Sequence, residues 1–296
     1  MTEERKSPRR YAIALSKAWG DRFPVDVRQI AMEISSKSQD PISRIAALPI
    51  PIDDFEGALL RRGGGRKWGI AYSEFIREPG KINFTIAHEF GHYELHRDQE
   101  GQKLCSEDDL RDFARASGGI QNIEQEANEF ASYLLMPKDD YRRQVDGQAI
   151  NVALLAHCAD RYGTSLAASA IKLIDFIDRP IVVVVSKGGV VQWSRSSDAA
   201  LELGCFLKKG TLVPPDSLTM RCHVTGLAAN KPTGADTESR TWFKSTAARE
   251  SAIAQPHYGT VFTLLECVDA RPTGPRFDDD EEKVIDAFDH FTSYSR

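Results

Sequence analysis

His88 and His92 stand four residues apart, with Glu89 directly after the first, in the stretch FTIAHEFGHYELH from Phe84 to His96. This pattern constrains the fold more than any other, because it has chemical meaning only on a helix. There, positions i and i+4 lie about 40° apart around the axis, so both imidazoles can reach one ion. Glu89 falls at the edge of the same face. It is badly placed as a third ligand to that ion but can reach a water beside it. Ile86, Phe90 and Tyr93 supply an apolar stripe. Pro79-Gly80 is read as breaking the chain before the helix, and Asn83 as its cap. Gly91 inside the helix costs about 1 kcal/mol against alanine, a cost that a closely packed partner would explain. A core helix with two incidental histidines would look the same, so a second segment has to decide.

H-E-x-x-H supplies two metal ligands and a general base in five residues, the arrangement of hydrolytic zinc sites. A catalytic zinc takes a third protein ligand and keeps one position open for water. Downstream, IEQEANEFASYLLMP runs from Ile123 to Pro137. Its apolar residues Ala127, Phe130, Ala131, Leu134 and Leu135 recur at helical spacing, and Pro137 ends the run. Glu124, Glu126 and Glu129 are the candidate ligands. Glu124 shares the apolar face of Ala127, Asn128 and Ala131. Glu126 lies about 200° round the axis from it, and Glu129 is off that face too. Glu124 is therefore the expected third ligand. Asn128, one turn later, can accept the free N–H of a ligand histidine. His96, a turn beyond His92, would be a ligand in another type of site. With Glu124 present, it is expected beside the ligands or at the surface.

Together the two segments resemble the ImmA/IrrE family of zinc metallopeptidases, with its HExGH and ExxANxFAxxLLMP signatures. The matching residues are His88-Glu89-Phe90-Gly91-His92, Glu124 to Ala131, and Leu134-Leu135-Met136-Pro137. The resemblance extends from the region of Trp68 to Tyr72 to about residue 178. It implies an α+β, gluzincin-like metallopeptidase domain. One zinc, or another divalent transition metal, would be held per chain by His88, His92 and Glu124, with Glu89 as the base. It further implies a protein substrate, typically a helix-turn-helix transcriptional repressor. Cleavage would release genes of a stress response, a mobile element or a toxin–antitoxin pair. A partner-binding regulator that keeps the metal site without turnover is the alternative. The intact Glu89 argues against it, since a structural site needs no base.

Three parts are expected: residues 1–145 as the metallopeptidase domain, 146–178 as a helix-turn-helix-like pair, and 179–296 as a C-terminal α+β domain. The first opens with two helices, at 9–19 and 24–37. FEGALLRR and KWGIAY then read as a hairpin, whose return strand (Trp68, Gly69, Ile70, Ala71, Tyr72) is either an edge that pairs with an extended substrate, as in zinc proteases of this general type, or an ordinary sheet strand. Short helices are expected over Ser106–Ala116 and in the acidic tail after Asp278. In the helical pair, Arg161 and Lys172 are offset by Asp160 and Asp175, which argues against direct DNA binding. So does the net charge of −5. In the last part, IVVVV, VVQW, LTMRCHV and TVFTLLECV are read as strands, a helix is placed near 197–203, and Val224 to Glu238 is read as a loop. The resemblance adds that some members carry a sensor-like domain here. No apolar run has transmembrane length, the charged start lacks a signal-peptide core, and the five scattered cysteines contain no C-x-x-C. A cytoplasmic protein is expected.

Overall fold

The computed structural model describes residues 7–20, 22–49, 56–62, 66–97, 120–226, 233–256 and 258–268. The helices expected over Ser106–Ala116 and after Asp278 lie outside the described residues. Helices and sheets occur in separate stretches, which makes the fold α+β. Two compact units divide the described chain. The first takes residues within Met1–Tyr141 and Ala159–Ser165, the second those within Arg142–Cys158 and Leu166–Lys283. The stretch 146–178 is thus shared between the units.

In the first unit, helices α1 (Pro8–Trp19) and α2 (Val27–Ser35) precede a three-stranded sheet. Asp26 caps α2 by accepting the Gln29 N–H at 3.0 Å. The sheet consists of β1 (Ile42–Leu48), β2 (Gly57–Arg62) and β3 (Lys67–Ser73). Its order is β1-β3-β2, with β3 parallel to β1 and antiparallel to β2. The strand from Trp68 to Tyr72 is therefore central. Both of its backbone edges are paired, so it cannot add a substrate strand: of the two readings the edge is corrected and the ordinary sheet strand stands. Strong β-propensity marked the strand but could not say which neighbours it takes. β1, a strand without a sequence expectation, is the partner along the second edge.

α3 (Pro79–His96) lies against β2 and β3 of this sheet, and α4 (Ile120–Leu135) packs on α3 and α1. α3 begins earlier than the sequence suggested. Pro79 occupies its first turn, where a missing N–H costs nothing, and Glu78 is the cap position. Gly80 is needed because a Cβ there would sit 2.3 Å from the Thr164 carbonyl carbon. Asn83 is not a cap. It lies inside α3 and donates to the Gly163 carbonyl at 3.0 Å. Gly91 has the close partner its cost required, since its Cβ would meet Phe130 Cδ1 at 3.0 Å and Ala127 Cα at 3.2 Å.

α5 (Lys138–Val145), α6 (Val152–Tyr162) and α7 (Leu166–Ile174) follow. The second unit is built on a five-stranded antiparallel sheet ordered β5-β4-β8-β7-β6. Its strands are β4 (Ile181–Lys187), β5 (Val190–Ser196), β6 (Thr233–Ser239), β7 (Ala248–Gln255) and β8 (Thr260–Cys267). One face of the sheet packs Val182, Val184 and Leu265 against Val213, Trp242 and Phe243. The expected helix near 197–203 is α8 (Asp198–Glu202). LTMRCHV is not a strand but helix α9 (Leu218–Thr225), because Ser217 caps its start and Gly226 ends it in the left-handed region at φ 57°. A short apolar run has no period long enough to separate the two readings. Part of the loop expected over Val224 to Glu238 is strand β6.

Candidate metal centre

α3 and α4 cross at Gly91 and Ala127, and this close approach sets the distance between their side chains. His88 and His92 project from α3 one turn apart, and Glu124 comes from α4. Glu124 Oε2 lies 3.0 Å from His88 Nε2, and Glu124 Oε1 lies 3.2 Å from His92 Nε2. The two Nε2 atoms are 3.0 Å apart. One donor atom from each of these three residues lies within 4.8 Å of the other two. A tetrahedral ion with ligand bonds of about 2.0–2.1 Å needs donors separated by roughly 3.3 Å. Two imidazole nitrogens and one carboxylate, converging at nearly that spacing, suit a divalent metal.

Each histidine is held from behind. His88 Nδ1 meets Asn128 Oδ1 at 2.8 Å, the contact that the sequence placed one turn after Glu124. His92 Nδ1 meets His96 Nδ1 at 3.1 Å. His96 is fully buried, so it stands behind His92 and not at the surface.

Glu89 is only 7% exposed and accepts a hydrogen bond from the Leu59 backbone. Burial pushes its carboxyl up to about 7, against the pull of His88. Burial also opposes charge on His88, but the hydrogen bond and charge of Glu124 outweigh it and raise that imidazole to about 9. His92 is pushed down by its burial, despite its bond to Glu124. Burial works against the Glu124 carboxylate as well, and its bonds from both histidines nonetheless hold it far below the ordinary carboxylate range. The cluster thus contains one firmly ionised carboxylate and, beside it, one carboxyl poised to exchange a proton near neutrality.

Two contributors escaped the sequence reading. Gly57, in β2, lies so close to α3 that a Cβ would sit 2.4 Å from Thr85 Cγ2 and 3.0 Å from Glu89 Oε1. The glycine lets the strand approach closely enough for the Leu59 N–H to reach Glu89. Glu126, set aside as a ligand, holds His96 at 3.0 Å. The i+4 spacing of His96 from His92 was the available signal for its position, but nothing in the sequence pairs it with Glu126. Trp68, by contrast, is buried, with its indole N–H on Asp40 Oδ2 at 2.9 Å and its ring edge-on to Tyr93.

The family model of the IrrE N-terminal-like domain matches residues 51–173. These residues include both metal helices, and the gluzincin-like fold expected from the sequence is supported by that match. Among curated proteins, none matches this chain. In structure the chain is similar to a Mycobacterium tuberculosis transcriptional regulator, with a TM-score of 0.51 at 13% identity. That likeness covers 88% of this chain and 76% of the other, and it concerns the fold alone. Among the described residues, no helix is long and apolar enough to cross a membrane.

Proposed function

Since residues 51–173 belong to the ImmA/IrrE family, we propose that the chain is a zinc-dependent endopeptidase whose metal is held by His88, His92 and Glu124. The observation that carries this reading is the convergence of those three donors beside a buried carboxyl raised to about 7. When bound, zinc supplies Lewis-acid chemistry, polarising a carbonyl and acidifying water. The protein's own residues do the rest. Asn128 orients His88, and Glu124 closes the ligand set from the second helix. Glu89 takes a proton from the attacking water and returns it to the leaving amine. Leu59 and Gly57 fix where its carboxylate points.

The substrate strand is reassigned. Among the described residues β2 is an edge strand, and its backbone reaches Glu89 through Leu59, so we take an extended peptide to add beside β2 and not beside β3. We take the substrate to be a helix-turn-helix repressor and the setting to be relief of repression in a stress response, mobile element or toxin–antitoxin pair, as the family resemblance suggests. We also propose a division of labour: catalysis in residues 1–145, partner docking in 146–178, and a separate role for 179–296.

The experiment compares wild type, Glu89→Gln and His88→Ala with added zinc and a candidate repressor, following cleavage on gels and metal by elemental analysis. Glu89→Gln should keep zinc and partner binding and lose cleavage by roughly 10²–10⁴-fold. His88→Ala should lose the metal. If Glu89→Gln cuts at the wild-type rate, Glu89 is not the base. A wild type that binds its partner and never cuts it, with any metal, is instead a partner-binding regulator.

A further inference from the structure

His92 differs from His88 in what stands behind it. The His88 ring is backed by a single amide oxygen, from Asn128. Behind His92 stand two residues in series: His92 Nδ1 to His96 Nδ1 at 3.1 Å, then His96 Nε2 to Glu126 Oε2 at 3.0 Å. His96 is fully buried, and the Glu126 side chain is 17% exposed. The chain of contacts therefore runs from the ligand, through a dry ring, to a carboxylate near solvent. Helix geometry makes it possible, because His88, His92 and His96 repeat at i, i+4 and i+8 on α3 and Glu126 faces them from α4.

The direction of each hydrogen bond follows from what each group can do. An ionised carboxylate only accepts, so Glu126 requires a proton on His96 Nε2. A neutral imidazole has one donor and one acceptor nitrogen, so His96 Nδ1 must accept. It accepts from His92 Nδ1–H, and that leaves the His92 Nε2 lone pair free. His92 Nε2 is the atom that lies 3.0 Å from His88 Nε2 and 3.2 Å from Glu124. Reversing either bond would put the proton on His92 Nε2 and remove a ligand.

We propose that His96 and Glu126 are positioning residues of the metal centre: a His92–His96–Glu126 relay that fixes the ring and the tautomer of His92 so that its Nε2 faces the ion. This inference rests on the metal-centre reading above. Metal histidines commonly give their second N–H directly to a carboxylate or carbonyl. Here an intervening imidazole carries the same instruction from a carboxylate two contacts away. Glu126 thus acts on the centre without touching it.

The test uses the full-length protein and zinc alone. Wild type, His96→Phe, His96→Gln and Glu126→Gln are titrated with zinc against a competing chelator. ¹⁵N-imidazole spectra of the zinc-loaded forms report which ring nitrogens carry protons. His96→Phe fills the space but cannot accept, and should weaken zinc binding about 10–100-fold. In His96→Gln the amide oxygen can accept from His92 and the amide nitrogen can donate to Glu126, so this variant should recover most of the loss. A merely packing role would not produce that rescue. Glu126→Gln no longer dictates the direction of the relay and should lose about tenfold, the low end of the same range. Wild-type spectra should show the proton of His96 on Nε2 and that of His92 on Nδ1. The relay is refuted if His96→Phe binds zinc as tightly as wild type, if Phe and Gln lose affinity equally, or if His96 carries its proton on Nδ1. Should His96→Phe fail to fold, Glu126→Gln decides, and unchanged affinity with an unchanged His92 spectrum refutes the relay. Wild type that binds no zinc overturns both this inference and the metal centre itself. Wild type that binds zinc with the relay variants unaffected overturns the inference alone.

Discussion

Glu89 and Glu250 are equally hidden, at 7% and 3% exposure, and the two units use them in opposite ways. Glu250, on β7, spends its oxygens on the start of α9. It accepts the Leu218 N–H at 3.0 Å, the Thr219 N–H at 2.8 Å and the Thr219 hydroxyl at 2.6 Å. Ser217 takes the Met220 N–H at 3.0 Å. The first turn of a helix exposes N–H groups with no partner in the helix, and here a strand glutamate and the cap serine take them up. Glu89 accepts from the Leu59 backbone and otherwise faces charge: the Glu124 carboxylate and the His88 imidazole. One buried carboxylate is bound into the fold, and the other keeps capacity for a proton. Burial alone therefore does not mark a functional acid. What marks it is burial without a full set of donors.

The largest effect should come from emptying the saturated site. Glu250→Ala leaves two amides and a hydroxyl without their acceptor in a dry interior, and should cost about 2–4 kcal/mol. Denaturant unfolding monitored for the second unit would measure it. Zinc affinity should not change. A variant as stable as wild type would mean that water replaces the carboxylate freely, and the contrast with Glu89 would collapse.

Asn128→Ala comes next. It removes the acceptor that holds His88 at 2.8 Å and should weaken zinc binding or turnover about 10–100-fold. Isothermal titration with zinc would check it. Wild-type affinity would show that the His88 ring is fixed by packing alone, and that only the relay side of the centre depends on hydrogen bonds.

The contrast between the two glutamates also explains what the sequence could reveal. His88, Glu89, His92, Glu124 and Asn128 were legible because helical periodicity converts spacing into direction, and all five lie on two regular helices. β4, β5 and β8 were legible as apolar runs. Pairing was not legible. The central position of β3 depends on β1, which is 25 residues or more away in register (Ile42 opposite Trp68), and a strand's own residues do not name its neighbours. α9 was misread for a different reason: its cap Ser217 and its stop Gly226 are local, but the apolar run between them is too short to show a period. Gly57 and Glu126, like β3, depend on approach between elements. Local chemistry is written locally, whereas contacts that close a site between elements are not.

The smallest effect tests the unsaturated carboxyl directly, in metal-free protein kept with a chelator. Glu89 has its pKa raised from the ordinary 4.5 to about 7. Between these values the folded chain holds a proton that the unfolded chain has released. Its contribution to stability is thus fully present below about pH 4.5 and is lost as pH rises through about 7. His88, raised from 6.5 to about 9, contributes with the same sign in a higher window. Its share is present below 6.5 and lost as pH rises through 9. Glu124, held low by the histidines, works the other way, and its contribution disappears as pH falls. Wild-type melting alone mixes the three. Glu89→Gln removes the first, because glutamine fills the same space and does not titrate, and it trims the second, because the charge of Glu89 helps raise His88. The melting temperature of the variant relative to wild type should therefore climb between pH 5 and pH 8, with the variant the more stable at the upper end. Thermal melts of both proteins at half-unit pH intervals would trace the difference. Parallel curves would mean that Glu89 titrates in the folded protein as it does in the unfolded chain.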